Sequence, residues 1–328
     1  MNSLAFRVAE YVYSAPRRLK NRLLNMIDLP VVVLLYHRIN SLPEDPYFLA
    51  VTPDNFRDQL LFLKQSFDIV RFGEDWSGLK RPSAAITFDD GYADNLIHAL
   101  PVLEEVGAPA TFFVSTGIIG TAEEFWWDEL ERIVLGDQPF PETFELNDSL
   151  FGKAWPTGSV SDRRKLCGKL HRLMFNIDAE RRCTWLGQLR QWAGAGEEGR
   201  EVNRAMTIEE LQSLANSKWV TVGAHTVSHT LLSALPIAEQ QREINASKKQ
   251  LENWLGHEVT VFSYPFGRRS DYTNDTVNIC RKAGFVRAAA NFPGQAHKWT
   301  DPFQVPRQTV FNWPAARFGK ELKRFLTT

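Results

Sequence analysis

Cysteine is scarce: Cys167, Cys183 and Cys280 are the only three in 328 residues. They are too few and too scattered for a disulfide framework or a CxxC metal site, which fits a reducing compartment. Excess charge of either sign is also missing. With 38 Lys plus Arg against 39 Asp plus Glu, the formal net charge is −1, so nothing draws a polyanion broadly and no nucleic-acid partner is expected. The apolar run Leu29–Tyr36 is far short of the roughly 20 residues that a spanning helix needs. A secretory leader is not legible either: Arg7 interrupts residues 1–15, and the basic cluster Arg17, Arg18, Lys20 and Arg22 follows instead of leading. The expected location is therefore cytoplasmic. Residues 17–27 place Leu19, Leu23 and Met26 or Ile27 near one helical face with cations elsewhere. Residues 1–28 thus read as a basic amphipathic segment, either docked on the domain or in peripheral contact with an anionic membrane.

What the chain has is apolar material, 44% of its residues with 12% aromatic, enough for one large core or two ordinary ones. β-Branched runs alternate with helical stretches, the signature of an α/β fold. Strands are predicted at Val31–Tyr36, Ala84–Phe88, Ala110–Val114, Trp219–Gly223, Val259–Tyr264, Phe285–Ala289 and Gln304–Val310. Seven strands suffice for a distorted (β/α) barrel over residues 29–328. Helices are predicted at Asn55–Phe67, started by Thr52-Pro53-Asp54; at Asn95–Val106; at Ile208–Asn216, behind the capping-box spacing Thr207…Glu210; and at Ala238–Leu255, Thr273–Ala283 and Ala315–Phe325. Between about 121 and 205 the alternation lapses into a mainly helical insertion, expected either to wall the substrate or to pack as a subdomain.

Four segments carry chemistry. In Thr87-Phe88-Asp89-Asp90-Gly91-Tyr92, adjacent carboxylates repel each other unless a cation or proton relay uses their charge, and the glycine permits a turn that aims both at one cavity. In His225-Thr226-Val227-Ser228-His229, the spacing of four puts two imidazoles on one face of a helical turn. Phe262-Ser263-Tyr264-Pro265-Phe266-Gly267 could present a backbone N–H to an oxyanion and an aromatic wall to a sugar. Leu34-Leu35-Tyr36-His37 sets a histidine directly after a buried strand, where an acid would face a barrel mouth. Taken singly, each also reads as an ordinary turn or capping segment. Together, two histidines and a carboxylate make a recurrent catalytic metal set that leaves positions open for water and substrate.

In this order the segments resemble the polysaccharide deacetylase family, carbohydrate esterase family 4. The resemblance implies a divalent metal on Asp90, His225 and His229, with zinc first and cobalt, nickel or manganese as alternatives. It also implies Asp89 as general base and the Phe266 N–H in the oxyanion hole, with Tyr92, Tyr264, Pro265, Gly267 and Trp127 about the substrate. Two departures stand out. Ser263 occupies the place of the arginine that steadies the base, and Arg307 is the candidate substitute. No histidine follows position 300, so the late Leu-x-His that carries the general acid is missing. Leu35-Tyr36-His37 has its form, as in circularly permuted relatives, which assigns the acid to His37 with His297 as fallback. The function so implied is hydrolysis of the N-acetyl group of an amino sugar in a glycan or a lipid- or nucleotide-linked precursor. Alternatives are a deformylase or other C–N hydrolase on the same scaffold, and a catalytically silent glycan-binding module. Trp126, Trp127 and Asp128 are expected as a stacking platform and a hydroxyl acceptor at the cleft edge.

Overall fold

A computed structural model describes residues 21, 23–42, 44–148 and 152–326. Most of the basic segment, residues 1–20 and Arg22, lies outside the described residues.

The Val-rich run Val31–Tyr36 (β1) is buried along its whole length, as a strand covered on both faces of a parallel sheet must be. The other sheet strands are Asp68–Ile69 (β2), Ser83–Phe88 (β3), Ala110–Val114 (β4), Val220–Ala224 (β5), Val261–Ser263 (β6), Arg287–Ala289 (β7) and Gln308–Thr309 (β8). They follow the order β7-β6-β5-β4-β3-β1-β8, with β2 also on β3, and every pairing is parallel. Beyond β7, Val305 bridges Ala289 in parallel, while Gln308 pairs with Leu34 of β1. The stretch from 305 to 309 thus brings the curled sheet back to its start, and the result is a distorted (β/α) barrel. Pro306 splits this expected strand in two because it has no N–H to give the ladder.

Helices cover the outside. In Pro53–Ser66 (α1) the Thr52 hydroxyl accepts the Asn55 N–H, Pro53 opens the first turn, and Phe56, Leu60 and Leu63 are buried against the sheet. The predicted capping box is present at Ile208–Ala215 (α6), with Thr207 and Glu210 bonded reciprocally. The predicted helix Asn95–Val106 departs from expectation: residues 95–99 form a π-helical turn and the α-helix Leu100–Val106 (α2) starts after it. Pro101 has no N–H to bond back to the Ile97 carbonyl, which interrupts the α ladder there.

The insertion is mainly helical, with Trp126–Leu135 (α3), Val160–Met174 (α4) and Ala179–Ala193 (α5), and it also carries an antiparallel hairpin, Thr143–Leu146 with Lys153–Pro156. It is clamped to the barrel by a buried guanidinium. Arg38 donates to Asp94 Oδ2 (2.8 Å), to Asn203 Oδ1 (2.7 Å) and to the Val202 carbonyl.

Candidate active site

The strand ends β1, β3, β5, β6, β7 and β8 and the insertion converge on a cavity of about 340 Å³. Its lining includes His37, Asp89, Asp90, Trp127, His171, His225, His229 and Phe266.

Asp89 is fixed at the end of β3, where its N–H donates to the Tyr36 carbonyl (3.0 Å). The next two residues turn back through left-handed backbone, Asp90 at φ 80° and Gly91 at φ 102°, which brings both carboxylates to one side. A Cβ at position 91 would also sit 3.1 Å from Val114, so glycine is required there. Phe48, Thr226, His229 and Phe266 are the other described non-glycine residues with positive φ, and all five lie in loops around the cavity. Strain of this kind persists only where neighbours over-determine it.

The two histidines are not on a helical turn. His225 directly follows β5, and Thr226 at φ 66° and His229 at φ 48° reverse the chain; a reversal of that length brings residues four apart together just as a helix does. Glu243 holds the loop, accepting from the N–H groups of Val227 and Ser228 (both 2.9 Å) and from the Ser228 hydroxyl (2.7 Å). His225 Nδ1 lies 2.8 Å from the Ser263 carbonyl. That acceptor assigns the proton to Nδ1 and leaves the Nε2 lone pair facing Asp90. Nε2 of His225 and of His229 lie 3.7 and 3.3 Å from Asp90 Oδ1, and one donor atom from each residue falls within 4.8 Å of the others. Burial pushes the His225 pKa down to about 4 against the pull of the neighbouring carboxylates, so its ring is neutral, as a ligand must be. Two imidazoles and one carboxylate, all buried and converging, fit a divalent cation.

Asp89 stands beside this triad. Burial alone would raise its carboxyl, but Arg307, and then His225, hold it down at about 2. Arg307 donates from Nη1 to Oδ1 (2.7 Å) and from Nη2 to Oδ2 (2.6 Å), and also reaches Ser263 Oγ (2.9 Å) and the Ala290 carbonyl (2.8 Å). The carboxylate is therefore ionised and fixed, with its lone pairs close to the triad.

The third segment is a tight reversal. Phe266 (φ 60°) and Gly267 (φ 70°) are left-handed, Gly267 donates to the Pro265 carbonyl (2.6 Å), and a Cβ on Gly267 would lie 2.7 Å from the Asn291 nitrogen. Among the described residues no acceptor takes the Phe266 N–H, and the Phe266 ring packs edge-on to His229 at 4.8 Å.

Several expectations need correction. Tyr264 turns into the core: its hydroxyl donates to the Phe303 carbonyl (3.0 Å) and its ring stacks on Tyr272. Pro265 and Gly267 shape the backbone and do not line the cavity. Tyr92 is buried beneath Trp127, accepting from the indole Nε1 (2.8 Å) and donating to Asp128 Oδ2 (2.6 Å). Asp128 therefore offers nothing to the cleft, and Trp126 lies behind, against His171 and Arg182. Trp127 does line the cavity, edge-on to His229 at 4.8 Å. His297 is elsewhere, stacked on Trp299 and 3.5 Å from Asp28. Sequence reasoning passed over Tyr47, Leu49, His171, Phe175, Arg268, Asn291 and Thr309, all in the lining. They stand in loops, at helical spacing or, for Thr309, in the two-residue strand β8, with nothing to set them apart from surface or core.

Comparison with known proteins decides the family. The family model described as polysaccharide deacetylase matches residues 77–138 and 192–288. The chain belongs to the polysaccharide deacetylase family. Within this family, it is 29% identical over 105 residues to the Bacillus subtilis (strain 168) protein YxkH, whose name assigns it provisionally to the same family. That alignment covers 32% of the chain and 36% of YxkH, about a third of the relative's length. Among solved structures, the Streptococcus pyogenes deacetylase PplD in complex with acetate superposes with a TM-score of 0.58 at 16% identity, covering 92% of this chain and all of that one. IcaB from Ammonifex degensii gives 0.57 at 19%, covering 92% and 98%. These likenesses establish the deacetylase fold. His37, Arg307 and residues 139–191 of the insertion stand outside the matched segments.

Proposed function

We propose that the chain is a metal-dependent carbohydrate N-deacetylase, hydrolysing the N-acetyl group of an amino sugar to acetate and free amine. The observation that carries this reading is the convergence of Asp90, His225 and His229 on one point beside an Asp89 gripped by Arg307. Family membership and the deacetylase fold support it.

A divalent cation held by Asp90, His225 and His229, zinc first among the candidates, would supply Lewis acidity that polarises the amide carbonyl and acidifies water. Asp89, ionised at working pH, takes the proton from the attacking water. The Phe266 N–H faces the oxyanion that develops on the carbonyl oxygen. His37 delivers a proton to the departing amine, without which C–N cleavage would expel an amide anion. His37 precedes the base in the chain, in the order of a circularly permuted relative. Arg307 supplies from elsewhere the cation missing from the third segment, which weighs against the silent-module alternative.

The same reading places the enzyme in the cytoplasm on a lipid- or nucleotide-linked precursor. The basic cluster near position 20 and the exposed Leu23, Met26 and Ile27 support contact with anionic membrane. Among the described residues no helix is long and apolar enough to cross a membrane. Liposome sedimentation of the full chain tests the contact, and equal recovery with and without anionic lipid removes it.

The decisive experiment is metal analysis of the purified protein with amine release measured on acetylated, formylated and ureide substrates. Release from acetylated amino sugars is the expected result. Preference for the formyl or ureide compounds would move the enzyme to the deformylase alternative, and sugar binding without amine release by metal-replete protein would leave a glycan-binding module.

A further inference from the structure

The C-terminal end of α4 crosses the mouth of the barrel. His171 and Phe175, four apart on one face, both line the cavity, and each is seated on a different barrel loop. His171 stacks on Tyr47, in the loop after β1, with ring centroids 5.1 Å apart, and lies on Trp126 of the insertion on its other side (5.0 Å). Phe175 packs on Phe266, in the loop after β6, at 4.1 Å. The Tyr47 hydroxyl donates to the Trp127 carbonyl (3.2 Å), which ties the β1 loop to the insertion, and Arg38 clamps the same region from below.

In the barrel order, β1 and β6 are separated on one side by β3, β4 and β5, whose ends carry Asp89, Asp90, His225 and His229. On the other side lie only β7 and β8. The two ring contacts therefore make a chord that walls the metal-ligand side. Asn291, Thr309 and the exposed Arg268 line the cavity on the remaining side. An interior residue of a long polymer needs a groove with two exits, one for the chain on each side of the sugar being processed. The chord closes one of them with half-buried ring contacts.

We propose that this enzyme acts end-on: it accepts a terminal N-acyl amino sugar, or a short glycoside, whose remaining portion leaves past Arg268, Asn291 and Thr309, and it does not process the interior of a polymer. A cavity of about 340 Å³ stands at the small end of the usual ligand-site range of about 300–1,000 Å³, in keeping with one or two sugar units. The inference rests on the deacetylase reading and adds where along a glycan the amine appears.

The test is product sequencing by mass spectrometry after limited digestion of β-1,4- and β-1,6-linked N-acetylglucosamine pentamers, with N-acetylhexosamine methyl glycosides alongside. The full-length metal-loaded protein is expected to free the amine at one terminal residue while internal residues stay acetylated. The Phe175→Ala and His171→Ala variants, which open the chord, are expected to shift free amine into internal positions. Amine spread evenly along the pentamers by the unaltered protein overturns the end-on proposal and leaves the deacetylase reading intact. No amine from pentamers or glycosides overturns both. A wild-type product pattern suffices if either variant fails to fold.

Discussion

Arg307 meets both oxygens of Asp89 at once, at 2.7 and 2.6 Å, with both side chains almost wholly buried. A parallel fork of this kind fixes the carboxylate's orientation as well as its charge, so the partner for Asp89 is supplied by a residue 218 positions further along the chain.

Removing that partner should be severe. Arg307→Met strands a buried carboxylate and is expected to lower unfolding free energy by about 3–5 kcal/mol, whereas Asp89→Leu with Arg307→Met should recover most of it. Denaturant titration of the wild type and the two variants measures this, and a double variant no more stable than the single one would contradict it. The sign with pH follows from the depressed carboxyl. Asp89 sits at about 2 in the fold against about 3.9 unfolded, so its contribution is complete above about pH 4 and disappears as pH falls through 2.

Metal binding should be visible without turnover. A cation at 100 times its Kd stabilises the fold by about 2.7 kcal/mol, so zinc added after chelation should raise the melting temperature. The rise should vanish in Asp90→Asn and His229→Ala, and an undiminished rise in either variant would place the ion elsewhere.

His37→Ala should slow amine release by about 10²–10⁴-fold, the range for general acid–base assistance, with the zinc-induced melting shift retained. His297→Ala, remote from the cavity, should leave the rate unchanged. The reverse pattern would transfer the acid role.

Asp128 should give the fold a pH dependence near neutrality. Burial, opposed by the Tyr92 hydrogen bond and Arg38, raises its carboxyl to about 7. A raised carboxyl favours the folded state most below about pH 4, and that stability is lost as pH rises through 7. Melting temperatures at pH 5 and 8 should therefore differ more in the wild type than in Asp128→Asn. An equal difference in the two proteins would mean that Asp128 titrates normally.

The barrel was legible because parallel strands buried on both faces leave runs rich in apolar and β-branched residues, as at Val31–Tyr36 and Ala110–Val114. β2 escaped because two residues, Asp68 and Ile69, carry no pattern of their own and are strand only by pairing with Ser83 and Ala84. In the site, Asp89, Asp90, His225 and His229 could be read because chemistry dictates their residue types. His171 and Phe175 could not: on α4 they share the spacing of core residues such as Leu166 and Leu170, and only tertiary placement turns them toward the mouth. The helical reading of His225–His229 failed because spacing alone does not distinguish a turn of helix from a reversal through left-handed Thr226.

The route by which the guanidinium reaches Asp89 bears on how dead and living members of such a hydrolase lineage are told apart. A census that scores chains by whether the third segment contains its own cation would file this one among the inactive, since serine stands there. What the aspartate requires is positive charge at one point in space, and in a closed ring any neighbouring strand can lend it.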